Sequence, residues 1–325
     1  MKKVRVGILG CNFMGIMHAS CYKQIEAAEV VAVADLNEEV AASLAAPFGA
    51  KVYTDAKALL RECELDLLDI CLPTFLHKEY AEAAMGRVPY IIIEKPVTLT
   101  KEEGEALLEK QRETGAQVGV GHVVRFFKEY EYLKQAIDDG RYGRLVNLAM
   151  HRHSPSPSWD FASWRKNSKL SGGAILDLHI HDVDFMLHAL GDPLRVHSAK
   201  NTLCEQNSYI ATVCEYESFV VSLEGTWFLP ASFPFNAYFR AAFENAVLEY
   251  DRETLTLYEQ GGSSVIPFSA SAGHASEGIG NLSKLDGYME ELSYFVGCAE
   301  AGLPIERATL AESVHSLGFI EKYCL

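Results

Sequence analysis

Across residues 4–120, short apolar runs alternate with amphipathic stretches in an order that leaves little choice of fold. Runs suited to strands occur at 4–9, 30–35, 51–53, 67–72, 90–94 and 117–120. Helical patterns at 13–28, 38–47, 56–63 and 76–85 fall between them, with Asn37 placed to cap the second. The next helix opens with Thr100-Lys101-Glu102-Glu103, the spacing of a capping box. Strict alternation of this kind builds a parallel, doubly wound sheet with helices on both faces.

The texture changes after Gly121. A helical stretch at 128–139 leads into a strand at 145–151, and an irregular segment at 154–171 is rich in Pro, Ser and Trp. A helix starts near Gly173, the chain from 196 to 266 is mostly of β type, and helices at 284–301 and 309–323 close it. Strands that follow one another without helices predict an α+β domain with a large, mostly antiparallel, open-faced sheet. The expected division is a Rossmann domain at 1–122 and a second domain at 123–325.

Composition narrows the partners. Lys and Arg number 29 against 44 Asp and Glu, a net charge of −15. With no basic stripe to neutralise phosphates, a nucleic-acid partner is not expected, nor is an anionic membrane surface. No run approaches the roughly 18 apolar residues of a membrane span. The N-terminus has neither the apolar core nor the small-residue cleavage site of a signal peptide. Eight cysteines, at 11, 21, 63, 71, 204, 214, 298 and 324, form no Cys-x-x-Cys pair. They read as reduced thiols, and the cytoplasm is the expected address.

The loop after the first strand carries the first chemistry. Gly10 and Gly15 occupy the first and third glycine positions of a Gly-x-Gly-x-x-Gly fingerprint, with Cys11-Asn12-Phe13-Met14 between them. Asn12 replaces the middle glycine, which lets backbone approach a pyrophosphate; Asn accepts left-handed backbone better than most residues. Asp35 ends the second strand, where an acid would hold the adenosine ribose and repel a 2′-phosphate. NAD is therefore expected in preference to NADP.

A second candidate is Tyr90-Ile91-Ile92-Ile93-Glu94-Lys95-Pro96. The Ile run reads as a strand buried on both faces, and Pro96 stops it. Lys95 then stands at the carboxyl end of a buried strand, where open α/β sheets bind ligands. Taken alone, the charged pair reads first as a strand end reaching water. The third candidate is the helix beginning at Gly172-Gly173. At 100° per residue, Asp177, His181, Asp184 and His188 share a polar stripe, flanked by Leu176, Ile180, Val183, Leu187 and Leu190. His179 and Asp182 point elsewhere and read as structural. His151 and His153 share a strand face, but no third ligand is implied and no metal is expected.

Together these residues resemble the Gfo/Idh/MocA oxidoreductase family, which includes glucose–fructose oxidoreductase and inositol 2-dehydrogenases. The matching motifs are Gly10 to Gly15 with His18, Leu72-Pro73-Thr74 with His77, and Glu94-Lys95-Pro96. Arg125-Phe126, Trp164-Arg165, Gly172-Gly173, and Asp177, His181 and Asp184 complete them. The resemblance implies Lys95, Asp177 and His181 as the catalytic set. It adds Leu72, Pro73, Thr74, His77, Glu94, Lys95 and Arg125 to Gly10, Asn12, Phe13, Met14 and Asp35 around NAD. On the substrate side it implies His151, His153 and Trp164 beside Lys95, Asp177 and His181. The chain departs from the inositol dehydrogenases at Val124-Arg125, where they often carry two arginines, and at His153, where they tend to have Asn.

The expected reaction is hydride transfer between a secondary alcohol of a sugar, cyclitol or related polyol and the nicotinamide. An imidazole, with an unperturbed pKa of about 6.5, suits the base, so His181 would take the hydroxyl proton, oriented by Asp177. Lys95 would hydrogen-bond the same oxygen; a Lys base assisted by His is the variant. Two other readings stay open: redox-neutral lyase or glycosidase chemistry on tightly held NAD, and a non-enzymatic NAD sensor. The open sheet face predicts a homodimer or homotetramer, as the family commonly forms.

Overall fold

The computed structural model describes residues 3–155, 164–165, 167–201, 209–268 and 286–325. Two compact units emerge. Among the described residues the first holds 3–123, Trp164 and 286–315; the second holds 124–155, 165, 167–201, 209–268 and 316–325. The first unit's main run ends at Val123. It also takes in the helix at 286–301, which chain order alone assigns to the second domain.

The first unit alternates as expected. Its elements are β1 (Val4–Leu9), α1 (Phe13–Tyr22), β2 (Ala28–Ala34), α2 (Glu38–Ala45), β3 (Lys51–Tyr53) and α3 (Ala56–Glu62). They continue with β4 (Leu67–Ile70), α4 (Thr74–Ala84), β5 (Tyr90–Glu94), α5 (Lys101–Thr114) and β6 (Gln117–Gly121). The sheet is parallel, in the order β3-β2-β1-β4-β5-β6. That order reverses between β1 and β4, the switch point at which such sheets take ligands. All residues of β4 and β5 are buried, as a central parallel strand requires.

Two boundaries shift for local reasons. α1 stops at Tyr22, short of 28, because β1 draws Ala28 and Glu29 into its ladder. α4 begins at Thr74, directly after Pro73, whose extended ψ of 142° makes it the cap. The Asn37 cap forms, accepting from the N–H groups of Glu39 and Val40, and so does the Thr100–Glu103 capping box.

In the second unit, α6 (Lys128–Asp139) precedes an eight-stranded sheet. The strands are β7 (Leu145–Pro155), β8 (Arg195–Lys200), β9 (Tyr209–Glu215), β10 (Val220–Leu229), β11 (Asn236–Phe243), β12 (Val247–Tyr250), β13 (Leu255–Glu259) and β14 (Gly262–Val265). Every pairing is antiparallel except β10 with β7. α7 (Ser168–Ser171) and a π-helical turn at Ile175–His179 lead into α8 (Ile180–Leu190). α9, described from Asp286 to Ala301, belongs to the first unit, and α10 (Leu310–Tyr323) starts one residue later than the pattern at 309. Residues 156–163 and 166 of the irregular segment expected at 154–171, and Cys204, lie outside the described residues. No helix among the described residues is long and apolar enough to cross a membrane.

Candidate active site

The candidate residues fall into two groups, one in each unit. In the first unit the β1–α1 turn forms a cradle that side chains would fill. Gly10 has φ +91°, and a Cβ there would sit 2.5 Å from the Cys71 carbonyl oxygen. A Cβ on Gly15 would sit 2.0 Å from the Gly10 oxygen. Both fingerprint glycines are therefore demanded by contact with backbone. α1 has no side-chain cap and no acidic residue in its first turn, so its leading N–H groups stay available to an anion. Phe13 and Met14 are half-buried at this helix start.

Asp35 is held ready at the end of β2. Its Oδ2 accepts from the Cys11 N–H at 2.9 Å and from Asn12 Nδ2 at 3.3 Å, while Oδ1 accepts from the Asn37 N–H at 2.9 Å. The residue that breaks the fingerprint thus bonds the acid that follows it. Cys11 itself is buried, and burial with the Asp35 charge pushes its thiol up to about 12.

On the other side of the switch point, His77 links two loops. Its Nε2 lies 2.7 Å from the Leu72 oxygen and its Nδ1 2.9 Å from the Pro96 oxygen, with the ring 1% exposed. Pro73 and Thr74 form the α4 start between them. From Tyr90 to Thr98 every residue is buried except Lys95. Glu94, 4% exposed, turns back so that its Oε2 accepts from the Lys95 backbone N–H at 3.1 Å. Trp164 presents its ring edge-on to Phe75, centroids 6.3 Å apart, and Phe75 is itself 40% exposed.

Beneath Glu94 lies a polar cluster that the sequence did not announce. Asp69, fully buried in β4, has Oδ2 at 2.8 Å from His18 Nδ1 and accepts there from the Tyr22 hydroxyl at 2.9 Å. The Cys71 thiol donates to its Oδ1 at 3.4 Å, and His18 Nε2 lies 3.2 Å from Glu94 Oε1. The ligand atoms of His18, Asp69 and Cys71 lie within 4.8 Å of one another, and the bonds among them account for that closeness. An acid inside the otherwise apolar Leu67–Ile70 was the one available signal.

In the second unit, from Ser171 to Leu187, every residue is buried except Asp177 and His181. The π turn at Ile175–His179 changes the 100° progression assumed for a plain α-helix and offsets Asp177 from His181 and Asp184, which stay three residues apart on the regular α8. Asp184 is drawn away: it receives Arg125 Nε at 2.7 Å, Arg125 Nη2 at 2.8 Å and the Ser316 hydroxyl at 2.9 Å. Arg125, expected beside the cofactor, is 3% exposed and commits both of these donors to Asp184; its Nη1 lies 3.4 Å from His188 Nδ1. His179 and Asp182 are structural, as expected: His179 Nε2 meets the Thr212 hydroxyl at 3.0 Å, and Asp182 takes Arg152 Nη2 at 2.8 Å.

His151 and His153 lie on the opposite face of β7 from Arg152, which meets the helix bearing Asp177 and His181. Their rings stack at 4.4 Å, Tyr238 stacks on His151 at 4.5 Å, and Glu224 Oε1 is 3.2 Å from His153 Nε2. Burial, with the His153 charge adding, pushes His151 down to about 4.

The comparisons fit this layout. Residues 4–122 match the model of an oxidoreductase family with an NAD-binding Rossmann fold, and residues 130–246 match the GFO/IDH/MocA C-terminal domain. The chain belongs to the Gfo/Idh/MocA oxidoreductase family. Within it, an inositol 2-dehydrogenase of Rhizobium meliloti is 32% identical over 223 residues, which is 68% of this chain and 65% of that protein. A UDP-N-acetylglucosamine 3-dehydrogenase of Acidithiobacillus ferrooxidans is 33% identical over 61% of this chain and 58% of its own length. The chain thus spans less than two thirds of these curated relatives. Among solved structures, that same A. ferrooxidans enzyme matches 99% of this chain and 97% of its own at TM-score 0.80 and 24% identity. A levoglucosan dehydrogenase in complex with NADH matches 98% and 95% at TM-score 0.85 and 19% identity. At those identities the likeness establishes the fold.

Proposed function

We propose that this Gfo/Idh/MocA protein is an NAD-dependent dehydrogenase acting on a secondary alcohol of a sugar, cyclitol or related polyol. The observation that carries the reading is the burial pattern: Lys95, Asp177 and His181 are each half-buried within otherwise buried runs. A fold that hides their neighbours and leaves these three only half-covered is suited to acid–base work.

NAD fits the glycine cradle and the pre-bonded Asp35. Gly10, Asn12, Phe13 and Met14 would face its pyrophosphate and Asp35 its ribose. Leu72, Pro73, Thr74, His77, Glu94 and Lys95 would line the other end. Leu36, 87% exposed beside Asp35, offers no cation to receive a 2′-phosphate, which supports NAD over NADP. When bound, NAD supplies the hydride acceptor.

His181 takes the hydroxyl proton, Asp177 orients its ring, and Lys95 donates a hydrogen bond to the same oxygen as negative charge develops on it. Trp164 is assigned to the substrate side on its ring contact with Phe75. His151 and His153 keep only the resemblance as support, since their rings stack on each other and on Tyr238, with Glu224 beside His153. The open sheet face exposes Val213, Val220 and Phe228, which favours a homo-oligomer built on it. The cytoplasm remains the proposed location.

The test is NADH formation with a panel of cyclitols, sugars and sugar acids. His181→Ala should cut kcat by about 100-fold or more while NAD affinity holds, the range of a lost general base. Unchanged kcat would overturn the assignment. One relative favours a second reading: a 2,7-anhydro-N-acetylneuraminate hydratase of Mediterraneibacter gnavus is 29% identical over 59% of this chain. Product formed without net NADH would select redox-neutral chemistry instead.

A further inference from the structure

His18 is fully buried on α1 with a carboxylate beside each ring nitrogen: Asp69 Oδ2 bonded at 2.8 Å to Nδ1, and Glu94 Oε1 3.2 Å from Nε2, within ion-pair range but off the hydrogen-bond direction. Carboxylates only accept and carry negative charge, so a ring set between two of them is favoured with both nitrogens protonated. An imidazolium here is a countercharge shared by two buried acids.

Glu94 needs that countercharge. Its carboxylate sits over Gly121, where a Cβ would come within 2.8 Å of Oε1, and its Oε2 holds the Lys95 backbone N–H. Asp69 is fixed independently by Tyr22 and Cys71. The chain of contacts therefore runs from an anchored acid, through a charged ring, to the acid that holds the backbone of Lys95.

We propose that His18 is a positioning residue of the hydride-transfer site, clamped between Asp69 and Glu94 so that Glu94 fixes the backbone from which Lys95 projects. This rests on the dehydrogenase reading above. Charge placement agrees with it. Desolvation would lower the His18 pKa, but the Asp69 charge and its hydrogen bond outweigh it and raise His18 well above the ordinary imidazole value. The other groups around the ring are pushed toward their neutral forms. Burial pushes Cys21 up to about 12 and raises Cys71 and Tyr22. Burial, then the Glu94 charge, lifts Glu291 well above the carboxyl range. The Tyr288 ring packs at 6.1 Å from His18. With those four groups biased to their neutral forms, the Asp69 and Glu94 carboxylates are the charges set against the ring. The sign follows: the clamp holds while the ring is charged and loosens as pH rises through its raised pKa.

Three measurements test this. In the NAD-free protein, ¹⁵N spectra should show both His18 ring nitrogens protonated at pH 8, and Glu94→Gln should lower the pH at which the second proton leaves. Exchange of the Lys95 amide hydrogen should quicken in His18→Asn. With a turned-over polyol, His18→Asn should lower kcat by about 10- to 100-fold, the cost of a small misplacement, with NADH affinity changed less than about threefold. The double variant with Glu94→Gln should be no worse than Glu94→Gln alone, because the two residues act in series. If His18→Asn does not fold, Asp69→Asn keeps the ring and should likewise lower its pKa and quicken Lys95 exchange. A neutral ring at pH 7, unchanged amide exchange, or losses that multiply in the double variant would each overturn the proposal. If no polyol is oxidised, the functional reading fails, while the ring protons and the Lys95 amide still decide the clamp.

Discussion

Asn12 reaches from the fingerprint loop to bond Asp35, Nδ2 to Oδ2 at 3.3 Å, beside the stronger bond from the Cys11 N–H. The substitution that weakens the sequence motif therefore adds a tie to the acid meant for the ribose. Charge-assisted bonds to a carboxylate contribute about 1.5–3 kcal/mol. Asp35→Ala should raise the KM for NAD by about 10- to 100-fold with kcat little changed, and should narrow the preference over NADP. An unaltered NAD/NADP ratio in steady-state kinetics would remove Asp35 from the cofactor site.

Gly15 gives a sharper steric prediction. A methyl group there would stand 2.0 Å from the Gly10 oxygen, a backbone atom that cannot swing aside as a side chain can. Gly15→Ala should reshape the turn and weaken NADH binding on the order of tenfold, about 1.4 kcal/mol, by fluorescence titration. Gly49 is the control, because a Cβ there meets nothing within 4 Å, although its φ of +64° makes Ala mildly strained. Gly49→Ala should leave NADH affinity unchanged.

The parallel sheet was readable because alternation and burial there obey one rule: the Ile run of β5 is buried throughout, as its composition requires. The fingerprint glycines and Asp35 were readable because their chemistry is local to one turn. The polar stripe after Gly173 was read only in part, since a π turn has no signature in apolar spacing and it offsets Asp177 from the regular helix that carries His181 and Asp184. Arg125 was assigned by motif to the cofactor, whereas its partner Asp184 lies 59 residues away. The His18–Asp69–Glu94 cluster stayed hidden for the same reason: its members come from α1, β4 and β5, and only folding brings them together.

The Arg125–Asp184 pair is buried, bidentate and shared with Ser316. Removing one partner leaves the other as an uncompensated buried charge, which costs about 3–5 kcal/mol. Asp184→Asn should lower the urea midpoint by a corresponding amount with no change in m. A midpoint within error of the parent would mean that water already screens the pair.

His179 predicts how the second unit responds to acid. Its ring is fully buried and bonded to Thr212, and a Cβ on Gly225 would lie 3.1 Å from its Cβ, so it has no room to move away. Burial alone pushes it down to about 3. Below an unfolded pKa of about 6.5 the unfolded chain takes up a proton that the native ring refuses, so stability falls with pH in that window. The slope attributable to this ring approaches 1.4 kcal/mol per pH unit, roughly, between pH 6.5 and 3, and vanishes above it. His18 acts with the opposite sign, since its raised pKa adds stability below 6.5 that is lost only as pH rises through the raised value. His179→Gln keeps a donor for Thr212 and cannot titrate, so its stability relative to the parent should improve steadily from pH 6.5 to 4. Parallel pH profiles for the two proteins in urea unfolding would show that the native ring takes its proton without cost.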